Sequence, residues 1–136
     1  MSRSTLLIFV VGFFLSTWQT PSMAQGPEIW LEKAHDLEKD EFWDEAAETW
    51  KKLASTDTNS KIAIYARLKL GIIYLKLGQF QQSINIAQQV VQFQPDNFDA
   101  QFHIANTLGA LRKFPEAIES YKKATRLKPE EALGHV

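Results

Sequence analysis

The side chains that could do chemistry in this 136-residue chain are few and scattered. His35, His103 and His135 lie far apart, and none sits in an H-E-x-x-H or comparable ligand pair. There is no glycine-rich phosphate loop and no G-x-S-x-G nucleophile elbow. Cysteine is absent, which excludes disulfides, thiolate metal sites and cysteine nucleophiles, and removes the usual attachment point for a bacterial lipid anchor. These residues point to no catalytic group, no metal and no cofactor. A formal charge of −1 gives no general attraction to nucleic acid or an anionic membrane. The charge is unevenly placed, however. Residues 25–60 carry 10 acidic and 4 basic side chains, whereas residues 61–136 carry 6 acidic and 10 basic ones. Two differing solvated faces would produce this, and so would steering of a bipolar partner or head-to-tail self-association into homo-oligomers.

The elements that position these residues begin with an address. Arg3 precedes the unbroken apolar run Leu6–Leu15, and Pro21 then leads into Ser22-Met23-Ala24. This is the layout of a secretory signal peptide, residues 1–24, with cleavage between Ala24 and Gln25. The alternative, an uncleaved anchor, would need about 20 apolar residues to span a bilayer. Cleavage leaves 112 residues, 25–136, with no membrane span. The expected location is the periplasm of a Gram-negative cell, or otherwise the exterior.

Past the leader the same residue types recur in order. Small residues stand at Ala34, Gly71 and Ala105, and large apolar ones three positions later at Leu37, Tyr74 and Leu108. Aromatics follow at Trp43, Phe80 and Phe114, then small residues again at Ala46, Ser83 and Ala117. Pro95 and Pro129 close the last two units. The first spacing is 37 and the second 34, so three extra residues are expected in the loop around Ser55 to Ser60. Within each unit, apolar residues at three- and four-residue spacing predict two amphipathic helices. For the second unit these are 62–77, stopped by Gly78 as a left-handed cap, and 80–93, stopped before Pro95. Pro115 suits the first turn of its helix.

These residues resemble the tetratricopeptide repeat, W-x2-L-G-x2-Y followed by an aromatic, a small residue and a terminal proline. The second unit is clearest, with Leu70-Gly71-x2-Tyr74, Phe80 and Pro95. The third keeps Ala105, Leu108, Phe114, Ala117, Tyr121 and Pro129. The first keeps Trp30, Ala34, Leu37, Trp43, Ala46 and Trp50, but has Lys33 at the usual leucine and no closing proline. The resemblance implies an all-α solenoid of three helix-turn-helix repeats, at about 27–60, 64–97 and 98–131. It assigns the recurring residues, Ser83 included, to the repeat core. An unrelated helical bundle would not require the period.

The resemblance also implies a non-enzymatic protein-interaction module that holds a peptide or partner protein in a concave groove lined by the first helix of each unit. Mapped onto this chain, that groove is Leu31, His35, Glu38 and Lys39, then Leu68, Ile72, Leu75 and Lys76, then Phe102, Asn106 and Gly109. Leu31 and His35 stand where the family's chaperone-binding members have the first Lys and Asn of a carboxylate clamp, and Asp99 and His103 replace later basic positions. Capture of an acidic C-terminal tail is therefore not expected, and the apolar middle of the groove suits a hydrophobic or amphipathic segment. Two other roles remain open, a structural self-associating oligomer and an accessory subunit of an envelope enzyme complex.

Overall fold

The structure, a computed structural model, describes residues 26–56 and 60–130. The expected leader, its cleavage site at Ala24 and Gln25, and His135 lie outside the described residues. Six helices follow in order: α1 (Pro27–Lys39), α2 (Trp43–Ser55), α3 (Lys61–Lys76), α4 (Phe80–Phe93), α5 (Phe98–Ala110) and α6 (Phe114–Leu127). No strand occurs among the described residues. Each helix packs on its neighbours in the chain, and α3 also touches α5. The described residues form an all-α solenoid of three helix-turn-helix repeats, as the resemblance implies.

The turn inside each repeat is the same backbone device three times over. At its centre a residue takes a left-handed conformation: Glu41 (φ 62°), Gly78 (φ 73°) and Arg112 (φ 59°). The following amide reaches back to close the helix, from Phe42 to the Leu37 carbonyl (2.9 Å), Gln79 to Tyr74 (2.8 Å) and Lys113 to Leu108 (2.9 Å). Only Gly78 adopts this geometry without a Cβ penalty, which is about 1 kcal/mol for other residues. Arg112→Gly is therefore expected to raise stability by about 1 kcal/mol, readable as a shifted urea midpoint at unchanged m-value.

The first helices of units two and three are started by side chains. Ser60 Oγ accepts from the Ala63 amide (3.1 Å) and Asn97 Oδ1 from the Ala100 amide (2.9 Å). These caps show where the three extra residues went. Helix α3 has 16 residues, against 13 in both α1 and α5. The addition is thus a further helical turn, Lys61 to Ala63, rather than a longer loop. It places Ala63 and Ile64 in the core.

The recurring small residues Ala34, Ala46, Gly71, Ser83, Ala105 and Ala117 are all buried, where they let helix backbones approach. One cluster joins the first two repeats through Trp30, Trp50, Leu53, Leu70 and Ile73, with Leu37, Trp43 and Tyr74 packed against it. A second joins repeats two and three through Ile64, Val90 and Ala100. Phe80 and Leu108 are half-buried. The end of the array departs from the expected core. Phe114 is 57% exposed, and Tyr121 is also at the surface. Pro95 and Pro129 are exposed as well; Pro95 acts through chain direction, its preceding residue Gln94 being extended (φ −132°, ψ 81°).

Candidate functional site

The face built by α1, α3 and α5 carries the mapped groove residues, and α3 is its apolar centre. Along that helix Tyr65, Leu68, Ile72 and Leu75 recur at three- and four-residue steps, which puts them in one row. Tyr65 is 41% and Ile72 43% exposed, while Leu68 and Leu75 are half-buried. Tyr65 was not in the mapped set. Its position three residues before Leu68, on the same face, is the signal that finds it.

On α1 the structure divides the mapped residues. Leu31 is half-buried against the first core cluster. His35 lies edge-on to the Trp50 ring (5.1 Å) and 6.1 Å from Tyr65, so it bridges the first and second repeats. Glu38 accepts a hydrogen bond from Trp50 Nε1 (2.5 Å) and another from Lys69 Nζ on α3 (3.2 Å). Its carboxylate is thus engaged within the fold. Lys39 is exposed, and Lys76 stands over the Trp43 ring at 4.7 Å.

On α5, Phe102 stacks on Phe98 (5.5 Å) and meets Tyr121 edge-on (5.6 Å). Asn106 Oδ1 accepts from the Tyr121 hydroxyl at 2.5 Å. Tyr121 therefore joins the far end of the face rather than the core. A Cβ added at Gly109 would meet nothing within 4 Å, so the helix wall is open there.

His103 stands apart from this surface, contrary to its reading as a substitute for a groove cation. It is buried at the joint of repeats two and three. Ser83 Oγ donates to the Gly71 carbonyl (2.8 Å) and lies 2.7 Å from His103 Nε2. Its single proton being committed, the hydroxyl accepts from Nε2–H. Thr107 Oγ1 donates to the His103 carbonyl (2.9 Å). Gly71 permits this contact, since a Cβ there would come within 3.0 Å of Nε2. Burial pushes the His103 pKa below its ordinary 6.5, opposed in part by the Gly71 carbonyl. Below pH 6.5 the unfolded chain takes up this proton more readily than the folded one. The joint's stability is thus complete above that value and declines as pH falls through the lowered one. Thermal melts at pH 7.5 and 5.5 should show a drop in midpoint that is smaller in His103→Gln.

Among the described residues no group of three or more His, Asp or Glu side chains could hold a metal ion. None of the described helices is long and apolar enough to cross a membrane.

Residues 68–132 match the tetratricopeptide repeat family model. Comparison with curated proteins gave no match. Among solved structures the chain is similar to MamA, at 23% identity and a TM-score of 0.67, over 79% of this chain and 63% of MamA. It thus spans less than two-thirds of that protein. It is also similar to the first tetratricopeptide repeat domain of Spaghetti (RPAP3) bound to the HSP90 peptide SRMEEVD (21% identity, TM-score 0.71, 82% of this chain and 87% of that one). A tetratricopeptide repeat protein from Parabacteroides merdae has the same TM-score and identity, over 80% of this chain and 43% of its own. The family model covers just under half of the chain, and the fold is of the tetratricopeptide repeat type.

Proposed function

We propose that this chain is an exported, non-catalytic interaction module whose first-helix face takes an apolar or amphipathic segment of a partner protein. The observation that carries this reading is the row Tyr65, Leu68, Ile72 and Leu75, an apolar strip left partly open on the middle helix of that face. Phe102 continues it onto α5. Such a strip suits a ligand that inserts side chains at regular spacing. The acidic peptide held by the RPAP3 domain is a poor analogue for this partner, because Leu31 and His35 replace the Lys and Asn of the clamp and Glu38 adds a carboxylate to the same face. Export follows from the leader expected over residues 1–24, with the periplasm as destination in a Gram-negative cell and the exterior otherwise.

The test is a selection of amphipathic peptides on the immobilised protein, followed by titration of the winners against Ile72→Lys. Ile72 is exposed, so this variant keeps its melting midpoint. Its affinity for a groove ligand falls at least about tenfold, as for a central interface residue. Undiminished affinity would remove α3 from the site. Export is tested separately, by the mass of the cell-derived protein: an N-terminus at Gln25 supports it, and one at Met1 refutes cleavage.

A further inference from the structure

The two ends of the array are each other's complement, and we propose that copies of this chain stack head to tail, α6 of one copy packing on α1 and α2 of the next. The 34-residue register shows what α6 lacks. Ile118, Tyr121 and Thr125 occupy the positions that Ala47, Trp50 and Ala54 hold on α2, and Ile84, Ala87 and Val91 on α4. On those helices the residues form the joint with the next repeat: Ala47, Trp50 and Ala54 lie in the core shared with α3, and Val91 packs on the cluster containing Ala100. On α6 the same positions are open, with Ile118 52% exposed. Together with Lys122 and Arg126 they line a concave surface of about 390 Å³.

The opposite end shows the matching half. Lys33, Leu37 and Thr49 correspond to Leu70, Tyr74 and Ile86, which pack into the core joining repeats one and two. In the first repeat no described helix precedes α1 to pack on this side of them. They line instead a depression of about 530 Å³ with Asp44, Glu45, Glu48 and Lys52. Both lysines there stand over the Trp30 ring, each at 5.2 Å, leaving the three carboxylates along the rim. The ridge at one end thus presents Arg126 and Lys122, the latter also paired with Glu119 (3.0 Å), and the depression at the other presents Asp44, Glu45 and Glu48, the last 4.0 Å from Lys51.

A second copy supplies both the helix pair and the opposite charge. The contact is heterologous, so it propagates into open rods unless its rotation closes a ring.

Sedimentation velocity of the purified protein across a concentration series tests the stacking. Expected are species that grow with concentration and shrink as salt rises. Lys122→Glu/Arg126→Glu and Glu45→Lys/Glu48→Lys, each at exposed positions and each checked for unchanged helicity, should weaken self-association at least about tenfold. Mixing the two variants should restore assembly, because the reversed ridge then meets a reversed depression. A folded protein that stays monomeric throughout the series overturns the proposal. So does association that neither double variant changes.

Discussion

Replacing Trp50 with alanine is expected to remove about 3–5 kcal/mol of folding stability, a large share of what a domain of this size holds. Trp50 is fully buried, and it is where the first repeat is joined to the second. Its indole touches His35 from α1 (5.1 Å) and Tyr65 from α3 (5.6 Å), and its N–H donates to Glu38. Truncation would leave a large void and also deprive the Glu38 carboxylate of a donor. Trp50→Phe separates the two contributions: the ring stays and the hydrogen bond goes, so the loss should be about 1–2 kcal/mol. Urea denaturation followed by circular dichroism measures both. A loss below about 1 kcal/mol for Trp50→Ala would mean that the first repeat does not depend on this joint.

Arg67→Ala is the second large effect, expected at about 2–4 kcal/mol. Arg67 occupies the slot of Trp30 in the first repeat, yet it is just as buried. Its guanidinium donates to the Ala54 carbonyl at 2.9 Å and lies 5.9 Å from the Phe93 ring. Ala54 is in the last turn of α2, where carbonyls have no partner within the helix and the dipole is negative. A cation suits that place better than an indole would. Truncation removes the packed stem and leaves a buried carbonyl without this donor. Arg67→Lys keeps the charge but loses the forked geometry, so it should recover only part of the loss. Full stability in Arg67→Ala, again by urea titration, would contradict this account of the joint.

Arg67 also marks the limit of what could be read from residue order. The period of small and aromatic residues was enough to place six helices and three turns, because each repeat must satisfy the same local geometry. Gly78 announced its left-handed turn. Glu41 and Arg112 adopt the same conformation without a glycine to announce it, and only the register shows their equivalence. The spacing of 37 against 34 shows that three residues are added near Ser55 to Ser60, but not which element takes them. Ser60 caps a helix that begins at Lys61, one residue before the expected start, and is a turn longer than α1 and α5. Contacts across joints were the least legible. Nothing near His103 in sequence indicates that Ser83 and Gly71 receive it, and Glu38 gave no sign that Trp50 and Lys69 would engage its carboxylate. The row on α3 is different: its spacing is local and visible, and the structure adds Tyr65 and the degree of exposure.

At the last described repeat Tyr121 holds the register position of the buried Trp50 and Ala87 yet lies at the surface; in a stacked array a second helix is buried by the helix that packs after it.

The claim on which the functional account rests is that a partner segment lies along the first-helix face. Amide hydrogen exchange with and without a selected peptide tests it most directly. Protection concentrated in residues 65–76 of α3, extending to 102–109 of α5, is the predicted result. Protection confined to α2, α4 and α6, with α3 unchanged, would contradict it.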